Sequence, residues 1–171
     1  MRPHPVIGPS PRTRIGALFA ALIMSGGSWA ATLEPPRLTL QAKLFYSASG
    51  TFSADVLAPG GPDLINVVAR DDPSTASLVT VVVMLPKESV LRSDARVRLI
   101  ARESALRSGG PKTLTDRTVA VGAVAKGGVT HLGFWLQGTG CRTVQLQATL
   151  TMPGQADTVA TSATVPFACA E

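Results

Sequence analysis

Residues 129–171 read VTHLGFWLQGTGCRTVQLQATLTMPGQADTVATSATVPFACAE, and their alternation decides the fold. Side chains along a strand point to opposite faces in turn. Over Val129–Leu136 this sets Leu132, Phe134 and Leu136 on one face and His131, Gly133 and Trp135 on the other. Gln137–Gly140 supplies a glycine-rich turn. Thr143–Met152 then alternates again, with Val144, Leu146, Ala148, Leu150 and Met152 inward and Thr or Gln outward, the signature of a half-buried antiparallel strand. Pro153-Gly154 opens the next turn, and Thr158–Ala168 carries Val159, Ala163, Val165 and Phe167 on one face.

Cys141 and Cys169 are the only cysteines, and both lie 14 positions from Gln155. A hairpin centred there brings them within disulfide range. That register, however, sets Gln145 opposite Val165 and Gln147 opposite Ala163, so the polar and apolar faces disagree by one residue. A β-bulge between the bridge and the middle of the hairpin repairs it. Pro166, with no N–H for a ladder, is the expected site.

Upstream, Arg37–Tyr46 alternates with Leu38, Leu40, Ala42 and Leu44 inward. Thr51–Val56 and Leu64–Ala69 read as short strands, separated by the loop Ala58–Asp63, and Arg70–Ser77 reads as another loop. Leu78–Leu85 is apolar on both faces except at Thr80 and rich in β-branched residues. It reads as a central strand, covered on its second face or placed at a subunit contact. Arg96–Arg102 faces Val97, Leu99 and Ala101 inward; Ser104–Thr113 is a loop, and Arg117–Val124 a strand of small residues. Eight or nine short strands without a helical period predict an all-β fold. The expected architecture is a two-sheet antiparallel β-sandwich of immunoglobulin-like type.

Residues 1–30 read differently. Arg2, Arg12 and Arg14 precede an apolar run, Ile15–Met24, and Ser28-Trp29-Ala30 offers small residues at a cleavage site. This is expected to be a secretory signal peptide cut before Ala31, with residues 31–171 forming one domain. Ile15–Met24 is short for a membrane span, and no transmembrane segment is expected in the mature chain. Without the three leader arginines the balance falls from +5 to +2, thirteen basic residues against eleven acidic, which weakens a general nucleic-acid reading. Two cysteines behind a leader point to an oxidising compartment, the bacterial periplasm or the exterior.

The segment Phe134-Trp135-Leu136-Gln137-Gly138-Thr139-Gly140-Cys141, with the ending Pro166-Phe167-Ala168-Cys169-Ala170-Glu171, resembles small exported bacterial β-sandwich proteins of uncharacterised function. The resemblance spans about the last quarter of the chain and implies export and architecture, not a ligand. The immunoglobulin-like comparison is one of architecture. The bridge between sheets over a core tryptophan, known in antibody domains, is not carried over, because the cysteine spacing suits neighbouring strands.

Chemistry is sparse. His131 is the one histidine after the leader, and no nucleophile elbow, His-Glu-x-x-His or phosphate loop is present. No enzyme activity, cofactor or metal is expected. Three constellations remain. His131, Gly133 and Trp135 share a face, with a dent over the glycine where a sugar or a side chain would sit, unless Trp135 packs in the core or covers a neighbour. Arg92, Arg96, Arg98 and Arg102 form a basic stripe fit for an anionic surface or acidic partner, or simply a solvated face that deters edge pairing. Asp71-Asp72 with Asp63 offers oxygen ligands, though such residues more often serve turns. The resulting expectation is a non-catalytic exported protein that binds a protein or envelope component. The alternatives are a small periplasmic hydrolase with a site invisible in sequence, or a structural subunit, possible as an oligomer, completed by a partner chain.

Overall fold

The alternating segments pair into eight strands in a computed structural model that describes residues 34–104, 110–154 and 158–170. The leader reading over residues 1–30 and the turn centre at Gln155 lie outside the described residues. The strands are β1 (Arg37–Tyr46), β2 (Thr51–Phe52), β3 (Ala76–Met84), β4 (Arg96–Glu103), β5 (Lys112–Ala120), β6 (Val129–Gln137), β7 (Val144–Thr151) and β8 (Val159–Val165). They form two four-stranded sheets, ordered β2-β1-β3-β6 and β5-β4-β7-β8, and every strand pair is antiparallel. The chain is a two-sheet β-sandwich. With β1, β3 and β6 taken as A, B and E, and β5, β4, β7 and β8 as C′, C, F and G, the order is that of immunoglobulin-like sandwiches.

The inner faces are those the alternation marks. Ala42, Leu44, Val79, Val81, Val83, Phe134 and Leu136 come from the first sheet; Val97, Leu99, Ala101, Val144, Leu146, Ala148, Leu150 and Val165 come from the second. Full burial of a Leu, Val or Phe side chain stabilises by about 1.5–3 kcal/mol. Ser77, inward at the end of β3, meets Thr139 hydroxyl to hydroxyl at 2.8 Å, so neither buried oxygen is left without a partner.

Several boundaries differ from the sequence reading. Leu64–Ala69 is not a strand. Asn66 takes a left-handed conformation (φ 54°), and Ala69 N–H bonds back to the Asn66 carbonyl, so the segment turns after a single bridge at Ile65. The strand expected over Thr51–Val56 stops at Phe52. Beyond it Leu44 N–H donates to Ser53 Oγ (3.0 Å) and Ala42 N–H to Asp55 Oδ1 (2.9 Å), so side-chain oxygens take over from a strand along that edge. β5 begins at Lys112, inside the expected loop, and ends at Ala120. Val124 keeps only a bridge to Leu91, and the β4–β5 register shifts between Ala101 and Arg102.

The one-residue offset of the hairpin lies at Pro166, as expected, but as a turn past the ladder and not as a bulge within it. The β7–β8 ladder runs unbroken with like faces opposed: Val144 against Val165, Leu146 against Ala163, Leu150 against Val159. Continued, that register sets Cys141 opposite Ala168, one residue short of Cys169. The extra residue is taken up past the ladder, where Phe167 N–H donates to the Val165 carbonyl across Pro166 (3.0 Å), a three-residue turn. The chain then leaves β8. Ala168 bridges Ile65 in parallel, and Ala170 N–H donates to Asn66 Oδ1 (2.7 Å). Cys141 and Cys169 are disulfide-bonded with their Cα atoms 4.7 Å apart. The bridge therefore closes the end of the β7–β8 hairpin and does not cross between the sheets.

Candidate functional site

Sheet register determines which outward side chains meet. Across the outer face of the first sheet the rungs run Phe45–Ala76–Gln137, Lys43–Leu78–Trp135, Gln41–Thr80–Gly133 and Thr39–Val82–His131, with Phe52 of β2 beside Phe45. Ala76 is the only small side chain between Phe45 and the β6 strand, and the rings close over it. Phe45 and Trp135 lie 5.3 Å apart between centroids at 64°, Phe45 and Phe52 5.4 Å apart, and Phe52 and Trp135 6.2 Å apart at 89°. These are edge-to-face distances at which aromatic pairs attract. The cluster stays open to solvent: Trp135 is 40% exposed and Phe52 46%. Apolar rings on the outer face of a sandwich sheet, where polar residues normally stand, are the most informative surface feature of the protein.

Trp135 is therefore neither in the core nor part of a His131–Trp135 pincer. Gly133 stays exposed, and Leu78 Cδ1 lies 3.4 Å from where a Cβ would stand. His131 sits two rungs away, exposed beside Val82, whose outer side is buried between its neighbours on β1 and β6. The sequence reading missed Phe45 and Phe52. Their signal was present: Phe45 breaks the polar outward set of β1, and Phe52 lies across a tight turn from it.

Beside the rings is a concavity of about 440 Å³. Phe45, Ala76 and Trp135 give it an apolar lining, and Ser47, Thr75, Gln137 and Gly138 a polar one. Ser47 Oγ donates to the Pro73 carbonyl (3.0 Å), and the Thr75 carbonyl accepts from Gly138 and Thr139 N–H, so the polar lining is fixed by the loop joining β2 to β3. None of these side chains is ionisable. A larger hollow of about 560 Å³ lies between Glu34–Arg37 and Met84–Ser89; Arg37 is paired to Glu34 (2.6 Å) and Glu88 to Lys126 (3.1 Å), while Lys87 has no ion pair among the described residues.

The arginine stripe lies on the outer face of the second sheet and is diluted. Arg98 binds Asp116 of β5 through both Nε (2.7 Å) and a terminal nitrogen (2.6 Å). Arg92 lies 3.5 Å from Asp94 and precedes the strand, so it does not continue the row. Arg96 and Arg102 remain exposed, with no ion pair among the described residues. The hydrogen bonds from Arg98 hold the Asp116 carboxyl below the usual range, outweighing a smaller loss of hydration. A carboxyl with a lowered folded pKa stabilises above its unfolded pKa, and the contribution fades as pH falls through the folded value. Arg98→Ala should therefore lower the melting midpoint only slightly at pH 7, because exposed pairs are weak. The difference from the unmutated protein should vanish in acid; thermal melts from pH 7 down to 2 check this, and a gap that widens in acid would contradict it.

The acidic loop is engaged in turns. Asp63 accepts Ile65 N–H (3.0 Å) and pairs with Arg70 (3.0 Å), and Asp72 Oδ1 accepts Ala48 N–H (2.9 Å). Hydrogen bonding from Ser49 first, and from the Ala48 and Ser49 amides, keeps Asp72 below the usual carboxylate range. No group of three His, Cys, Asp or Glu side chains converges among the described residues, and no helix there is long and apolar enough to cross a membrane. No protein-family model matches the chain, and no curated protein matches its sequence.

Proposed function

We propose that this protein is an exported, non-catalytic binding module of the bacterial periplasm or exterior, and that it engages an envelope component through the outer face of the β2-β1-β3-β6 sheet. The carrying observation is the exposed Phe45–Phe52–Trp135 cluster. It places aromatic anchors on three strands of a rigid scaffold, the kind of surface on which binding energy concentrates. The disulfide and the leader-like first 30 residues support export. The arginine face, with Arg98 neutralised by Asp116, is the weaker candidate for contact with an anionic surface.

A second reading has an observation of its own. β6 ends its sheet, spans nine residues, and carries no bulge or charged side chain, whereas the edge strand β5 has both a register shift and Lys112, Asp116 and Arg117. Such an edge accepts a further strand, as a structural subunit completed by a partner would require. One experiment separates the two. Immobilised protein is exposed to a solubilised envelope fraction alongside Trp135→Ala and Arg96→Glu variants. Capture lost with Trp135→Ala and kept with Arg96→Glu is expected. Capture lost only with Arg96→Glu would overturn the aromatic face, and recovery of a second copy of the same chain would favour strand pairing.

A further inference from the structure

Resting on that binding-face reading, we infer that the concavity beside Trp135 is a saccharide site, and that it takes an uncharged stretch of glycan. The argument is the match between an amphipathic wall and an amphipathic ligand. A pyranose ring presents a patch of C–H groups on its face and hydroxyls around its rim. The concavity is lined by two rings, Phe45 and Trp135, together with hydrogen-bonding groups of Ser47, Thr75 and Gln137. A ring face laid on Trp135 turns its rim toward Gln137 on the same strand. The side chains of Thr75 and Gln137 are bound to no other described residue, and Ser47 Oγ, which donates to Pro73, keeps its acceptor lone pairs.

Size and charge agree. A volume of about 440 Å³ falls within the about 300–1,000 Å³ typical of small-ligand sites. The site is shallow and lies on a sheet face, which suits a chain passing across it. An apolar peptide side chain would leave the polar lining unmatched. A peptide strand would instead pair along the free edge of β6 and lie beside the sheet, not across the face over β3, which is hydrogen-bonded on both sides by β1 and β6. No lining side chain carries a charge at any ordinary pH, so the contact neither attracts nor requires an ionic group. Preorganisation is high. Trp135 is held by two ring contacts, and Gln137 closes a strand whose next residues, Gly138 and Thr139, are bonded to the Thr75 carbonyl at 2.8 and 3.1 Å.

The test is calorimetric titration of the intact disulfide-bonded protein with neutral tetrasaccharides, those of β-1,4-linked N-acetylglucosamine, β-1,4-linked glucose and α-1,4-linked glucose, at low and high salt. At least one is expected to bind, with an affinity unchanged by salt and a shift in tryptophan emission. Trp135→Ala should abolish binding, Trp135→Phe should restore part of it by returning a ring, and Gln137→Ala should weaken it about two- to tenfold, the loss of one hydrogen bond. Circular dichroism establishes that each variant is folded. If no tetrasaccharide binds while capture from the envelope fraction still depends on Trp135, the saccharide assignment falls and the binding face stands. If neither binds, both fall. Glycan binding that survives Trp135→Ala, or that disappears with salt, also overturns the assignment.

Discussion

Replacing Cys141 and Cys169 together with Ala lowers stability by about 3–4 kcal/mol, the chain-entropy value for a loop of this size, since the two are 28 positions apart. For a domain of this length the melting midpoint drops on the order of 10 °C. The bridge also fixes a junction where regular pairing has stopped. β8 ends at Val165, the chain turns at Pro166, and residues 167–170 meet the Leu64–Asn66 segment through a few backbone bonds. Without the bridge those bonds and the buried Phe167 must hold the crossing. Strand content should survive in the double variant. Denaturant titration of the oxidised and double-Ala proteins measures the difference, and thiol labelling of the denatured, unreduced protein checks the premise. Two reactive thiols, or equal midpoints, would refute it.

Gly140→Ala carries an effect of similar size for a different reason. Gly140 has φ 124°, a conformation that side-chain-bearing residues rarely adopt. A Cβ there would also stand 2.6 Å from Val68 Cγ1 and 2.9 Å from the Ser74 carbonyl oxygen. Backbone strain of about 1–3 kcal/mol adds to overpacking of about 1–3 kcal/mol, a total on the order of 3 kcal/mol. Gly138→Ala is the control: its φ is also positive (72°), but an added Cβ meets nothing within 4 Å. It should cost only the conformational part, about 1–2 kcal/mol. Equal losses for the two variants would mean that the close approach of the β6–β7 connection to Val67, Val68 and Ser74 is not a stabilising contact.

Face assignment was legible in the sequence wherever alternation was clean. β1, β4 and β7 bury the residues that their pattern marks, because period-2 hydrophobicity is a local property. Leu64–Ala69 misled because its buried residues, Leu64 and Val67, are three apart, which a turn satisfies and a strand does not. The half-hidden feature was the site. Trp135 stood out as an outward aromatic, but its partners Phe45 and Phe52 lie more than eighty positions earlier. Only the shared register of β1 and β6 on β3, with Ala76 in the gap, brings the rings together. Arg98 and Asp116 likewise look like one member of a basic stripe and an unrelated acid until β4 and β5 are paired.

The crossing after Pro166 also bears on the order of events during folding. A ribosome releases the chain from residue 1 onward, and Ala170 must reach Asn66, 104 positions earlier, before the corner is sealed. The sandwich therefore cannot be completed piecemeal behind the growing end. Its contacts are mostly remote in sequence, and such topologies fold in about milliseconds to seconds, not microseconds. Until residue 170 is available, the Leu64–Ser74 loop has no bond to Ala168 or Ala170 and no disulfide-anchored neighbour. For that interval this corner of the sandwich remains unsealed.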